Sequence, residues 1–216
     1  MSHSHAHAAH ADAAPEMGLP VSNAKLAVWL FLATEIMFFM GLIGTYIVLR
    51  GSTDWPTAEE VHLSVNVGAF NTLVLIVSSV TVVLALSATA RGDSRQQALY
   101  LAITMALGCT FMVVKGFEYY GKFEHGIIQF RDGWPVLAPT HPLPGGGLFT
   151  SLYFTLTGFH GLHVIGGIVM LTMLLVQSLA GMLGRERYQR VELIGLYWHF
   201  VDVVWIFLFP IIYMIN

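Results

Sequence analysis

The chain has 216 residues, 56% of them hydrophobic and only 11% charged, with a formal net charge of −3 and a mean hydropathy of +0.67. Ordinary soluble domains carry about 25% charged residues, so a soluble globular domain is excluded and a polytopic α-helical membrane protein is expected. The small net charge gives no ground for nucleic-acid binding, and the single Cys109, set in an apolar run, excludes an internal disulfide or a Cys-rich metal site.

Residues 1–24 are polar and rich in His and Ala, with His3, His5, His7 and His10 among Ser and Ala. They lack the apolar core of a secretory signal peptide and are too poor in apolar side chains to pack. They read as a solvated, disordered tail, with metal or proton buffering as the functional alternative. Residues 25–216 read as one membrane domain. Five segments reach the roughly 20 apolar residues that span a bilayer: Lys25 to Leu49, Asn66 to Ala90, Gln97 to Tyr120, Gly147 towards Leu183, and Val191 to Ile215. The fourth is longer than the bilayer needs and is expected to tilt or to project beyond it. Short connections at 91–96 and 184–190 make antiparallel neighbours of the helices they join, and so predict a single bundle. The stretch 121–147, rich in Gly and Pro, reads as an ordered extramembrane loop. With the N-terminus inside, Lys25, Arg91, Arg95, Arg185, Arg187 and Arg190 face inward, and Arg50, Lys122 and Arg131 outward. This asymmetry favours an N-in, C-out topology.

Polar residues inside the spans are the next signal, because such groups are expensive at membrane depth and mark functional or packing positions. Glu35 lies about 15 Å along the first helix from its inner end, near the bilayer midplane. Only Thr34 is polar among its close neighbours. It reads either as a proton-relay or proton-buffer site, or as a protonated acid donating one interhelical hydrogen bond. Lys115 and Glu118 on the third span have the spacing of an i,i+3 ion pair, placed to hold the outer end of that helix against a neighbour. On the fourth span His160 and His163 share one face, flanked by Gly158, Gly161, Gly166 and Gly167. Two His ligands leave a zinc site incomplete, whereas small residues admit close helix approach, so packing with interhelical hydrogen bonds is the favoured reading. On the fifth span His199 and Asp202 are also spaced i,i+3. The expectation is a polar core in which Asp202 and His199 meet His160 or His163.

Phe159-His-Gly-Leu-His-Val164, Tyr197-Trp-His-Phe-Val-Asp-Val-Val-Trp205 and Glu118-Tyr119-Tyr120, with Thr34-Glu35-Ile-Met-Phe-Phe39 upstream, resemble subunit III of haem–copper terminal oxidases. The resemblance covers about Lys25 to Asn216 and matches the shorter, five-span bacterial form. It implies a non-catalytic chain with no haem or copper of its own, those cofactors residing in partner subunits. It implies packing beside subunit I, contact with subunit II and small subunits, and structural phospholipids held in a cleft between helix groups. It further implies support of proton uptake, oxygen access and durability of a proton-pumping, oxygen-reducing complex in the bacterial inner membrane. Cytochrome c is the donor it suggests. A quinol oxidase, a complex associated with nitric oxide reductase and a stand-alone transporter are the alternatives, and supercomplex membership is open. By this resemblance Glu35 takes the buried-carboxylate position, Glu118, His160, His163, His199 and Asp202 take motif positions of the helical core, and no residue is a metal ligand. Arg185, Arg187 and Arg190 supply candidate lipid-headgroup contacts.

Overall fold

The computed structural model describes residues 22–52, 55–56, 63–124, 128–131, 134–137 and 146–214. The His-bearing tail of residues 1–21 lies outside the described residues. Five helices are long and apolar enough to cross a membrane: α1 (Asn23–Ser52), α2 (Val65–Arg91), α3 (Ser94–Glu124), α4 (Gly146–Leu179) and α5 (Tyr188–Phe209). Two short strands, β1 (Ile128–Arg131) and β2 (Trp134–Leu137), pair antiparallel with Ile128 opposite Leu137 and Arg131 opposite Trp134. This hairpin, with β2 resting on α4, is the one departure from all-α structure among the described residues. The expected five-helix class stands.

Helices α2, α3, α4 and α5 close a ring in which α2 lies against α3 and α5, and α4 against α3 and α5. Helix α1 packs outside this ring, on α5 and α4. Its buried residues Leu32, Phe39, Ile43 and Tyr46 fall at helical spacing on one stripe, while Trp29, Met37 and Met40 of its other faces are exposed. The buried residues of all five helices form one continuous core cluster.

Local chemistry sets the helix ends. Gly92 ends α2 at φ 77°, a left-handed conformation that glycine adopts without strain, and its N–H reaches the carbonyls of Ala88 and Thr89. Asp93 then caps α3, its Oδ1 accepting from the N–H groups of Arg95 (3.1 Å) and Gln96 (3.0 Å). Helix α4 stops at Leu179, short of the expected Leu183, because the chain turns at Gly181, φ +67°. At the other end of the last span, Pro210 has no N–H to donate to the preceding turn. The backbone widens there into a π-turn over Pro210–Met214. Packing between helices depends on space left for Trp198: a Cβ on Gly108 would stand 2.7 Å from its ring, and one on Gly167 2.6 Å.

Candidate functional site: polar pairs between the helices

Thr and Ser hydroxyls, with one glutamine, stitch the ring together. At one end Gln97 of α3 donates to Thr89 Oγ1 of α2 (2.6 Å), and its Oε1 accepts from Ser178 of α4 (3.0 Å). In the middle the indole N–H groups of α5 reach α2, Trp198 to Ser78 (3.0 Å) and Trp205 to Thr72 (3.1 Å). These indoles are amphipathic side chains whose bodies fill the core while the N–H finds its partner.

Towards the other end, Lys115 and Glu118 meet at 3.2 Å, with both side chains only 8% exposed. The geometry is more buried and more connected than their spacing alone suggests. Tyr153 of α4 and Tyr213 of the π-turn donate to Glu118 Oε1 at 2.7 and 2.6 Å. Lys115 donates in turn to the Tyr213 hydroxyl (2.7 Å) and lies 4.9 Å from the centroid of Trp205. One carboxylate thus gathers a lysine and two tyrosines from three elements, and the ammonium is further stabilised by aromatic faces. The two tyrosines were not singled out from sequence.

Glu35 meets His163 of α4: Oε2 to Nε2 is 3.0 Å. The other ring nitrogen, Nδ1, is 2.8 Å from the carbonyl oxygen of Phe159. A carbonyl only accepts, so Nδ1 carries a proton. A single proton therefore occupies the Nε2···Oε2 contact, either on a neutral acid facing a neutral imidazole or on an imidazolium facing a carboxylate. Either placement leaves the total charge of the pair the same. Phe39 flanks the imidazole edge-on, with centroids 5.3 Å apart, and Tyr197 donates to the carbonyl of His163 (3.1 Å). This is the polar link between peripheral α1 and the ring at this depth. At the end of α1, Lys25 meets Glu192 of α5 (2.6 Å), and Ser22 is bonded to Gln189.

The expected polar core, in which Asp202 and His199 meet His160 or His163, is not formed by hydrogen bonds among the described residues. His163 turns outward to α1, whereas His160, three residues earlier, points into the ring and stacks on Trp205 (5.0 Å). His199 turns to α2, its Nδ1 2.5 Å from Ser79 Oγ. Asp202 is buried beside Ser79, and among the described residues no group hydrogen-bonds either of its oxygens. Spacing of i,i+3 puts His199 and Asp202 at neighbouring positions on α5, and both approach Ser79 of α2, but they do not bond to each other. Arg187 is half-buried and Arg190 exposed, on the turn before and the first turn of α5, while the Arg185 side chain lies outside the described residues. Among the described residues no group of three or more His, Cys, Asp or Glu side chains is arranged to hold a metal ion.

This fold and these seams define a multi-pass helical membrane protein whose intramembrane ionisable groups engage one another across helix interfaces. The family model for cytochrome c oxidase subunit III matches residues 9–124 and 144–216. Similar proteins include the cytochrome c oxidase subunit 3 of Alkalihalophilus pseudofirmus, 32% identical over 90% of this chain and 87% of the relative. The subunit 3 of Bacillus sp. strain PS3 is 31% identical over 94% of this chain and 92% of the relative. A probable cytochrome c oxidase subunit 3 of Mycobacterium leprae is 35% identical over 88% and 85%. The chain belongs to the cytochrome c oxidase subunit III family. Membership implies a complex with other oxidase subunits.

Proposed function

We propose that this chain is a non-catalytic, five-helix subunit of a bacterial cytochrome c oxidase that packs laterally against subunit I and sustains its turnover. Haem and copper, oxygen reduction and the pumping step belong to the partner subunits. The observation that carries this reading is where the intramembrane ionisable groups go. Lys115, Glu118, Tyr153 and Tyr213 close on one another, and Glu35 and His163 close a seam between α1 and α4, so their bonding capacity is spent in holding helices together. Relatives named for cytochrome c support that donor over quinol.

Two finer roles belong to the same reading. The Glu35–His163 pair holds one mobile proton on the lipid-facing side of the bundle, where it buffers proton uptake by the neighbouring subunit. Arg187 and Arg190, with Arg185, stand at the inner face under an N-in, C-out topology and attract anionic phospholipid headgroups. The discriminating experiment follows oxygen reduction by the oxidase with and without this chain. Activity that starts at the full rate and decays over successive turnovers without the chain supports the reading. Oxygen reduction absent from the first turnover, in a complex that retains its haems and copper, overturns it.

A further inference from the structure

Three buried side chains of the ring make no well-formed hydrogen bond among the described residues, although Ser79 lies beside one of them, Asp202. These are Asn71 on α2, His160 on α4 and Asp202 on α5, each at most 2% exposed. Both side-chain polar atoms of each one lack a hydrogen bond there. Buried polar groups in native proteins are nearly always satisfied, by protein or by ordered water, and six orphaned atoms in one bundle core would be exceptionally costly.

His160 touches the Trp205 indole, and the other two lie close to it along their helices. His160 stacks on Trp205 with centroids 5.0 Å apart. Asp202 precedes Trp205 by one turn of α5, on the face shared with Trp198. Asn71 is adjacent in α2 to Thr72, which accepts the Trp205 N–H at 3.1 Å. The buried Lys115 ammonium lies 4.9 Å from the same indole. A cleft of ≈ 180 Å³ opens between α3 and α4 beside Phe111, Lys115, Thr157 and Gly161; none of the three side chains lines it. Phe111 and Lys115 both touch Trp205.

We infer that Asn71, His160 and Asp202, close to Trp205, bind a small cluster of internal waters that completes the polar core of the bundle. Six atoms shared among waters making about three hydrogen bonds each call for roughly two or three molecules. The waters join α2, α4 and α5 where direct side-chain bonds do not. Their position places them between the Lys115–Glu118 cluster and the Ser79–His199 contact. The inference is independent of the donor and of the role proposed for Glu35.

The test uses the intact oxidase containing this chain in lipid nanodiscs, imaged at a resolution that shows ordered water. Density peaks within hydrogen-bond distance of at least two of the three side chains are expected. A dry core, or the three side chains bonded directly to one another, overturns the inference. A second measurement does not rely on density: the thermal midpoint of the complex carrying Asn71→Leu, a substitution that keeps the branched outline of the side chain and removes both of its polar atoms. If Asn71 holds water, the leucine removes a bonded group from a connected network and the midpoint falls. If Asn71 is a dry orphan, the leucine relieves a desolvation penalty and the midpoint holds or rises, which counts against the waters.

Discussion

Replacing Glu118 by alanine isolates the strongest polar contact in the bundle. It removes the carboxylate facing Lys115, the acceptor of two tyrosine hydroxyls at 2.7 and 2.6 Å, and the ion pair at 3.2 Å. The ammonium keeps the Tyr213 hydroxyl and the face of Trp205, so it is not bare, but it becomes an uncompensated charge inside a packed core. Breaking a buried pair in this way costs about 3–5 kcal/mol, and the retained contacts place the expected loss near the lower end. A loss of about 3 kcal/mol corresponds to roughly a hundredfold change in the unfolding equilibrium. Lys115→Met together with Glu118→Leu removes both charges and is expected to cost clearly less than Glu118→Ala alone, since apolar replacement of a whole pair is often close to neutral. The assay is retention of this chain in the purified oxidase as detergent concentration or temperature rises. The reasoning is refuted if Glu118→Ala leaves retention unchanged, or if the double variant is the less stable of the two.

Glu35→Ala is expected to leave assembly largely intact, because α1 stays anchored by Phe39, Tyr46 and the Lys25–Glu192 contact. It is expected to shorten the number of turnovers the oxidase completes, as read from oxygen-consumption traces, and an unchanged lifetime argues against a proton-holding role. Gly167→Ala drives a Cβ to 2.6 Å from the Trp198 ring and is expected to cost about 1–3 kcal/mol through overpacking. Gly158→Ala meets nothing within 4 Å and serves as its neutral control in the same thermal assay. Thr72→Val leaves the Trp205 N–H without its acceptor at a cost of about 1–3 kcal/mol, and no change in thermal midpoint would show that another acceptor takes its place.

The helices were legible in the sequence because their apolar length leaves no other reading, although their ends were not: α3 runs Ser94–Glu124 rather than Gln97 to Tyr120, and glycine and proline chemistry at Gly181 and Pro210 closes α4 and α5 early. The Lys115–Glu118 contact was legible for a related reason: i,i+3 spacing on one helix confines the partners to a single surface. His199 and Asp202 have the same spacing and do not meet: both lie beside Ser79 of α2, and His199 takes its hydroxyl. Spacing along one helix says which residues share a face, and the helix packed against that face decides the bonds. Glu35 and His163 lie 128 positions apart. Their pairing depends on α1 docking outside the ring against α4, which no local pattern encodes. Tyr153 and Tyr213 were invisible for the same reason, since a tyrosine near a helix end has the composition of an interfacial anchor whether or not its hydroxyl turns inward.

The most direct test of the central claim, that the ionisable groups within these spans serve helix packing while redox chemistry occurs in neighbouring chains, is the haem and copper content of this polypeptide purified alone, measured beside its oxygen consumption. The expected result is a folded helical chain with far less than one haem or copper per molecule and no oxygen uptake. One haem or copper per chain, accompanied by oxygen consumption, would contradict it.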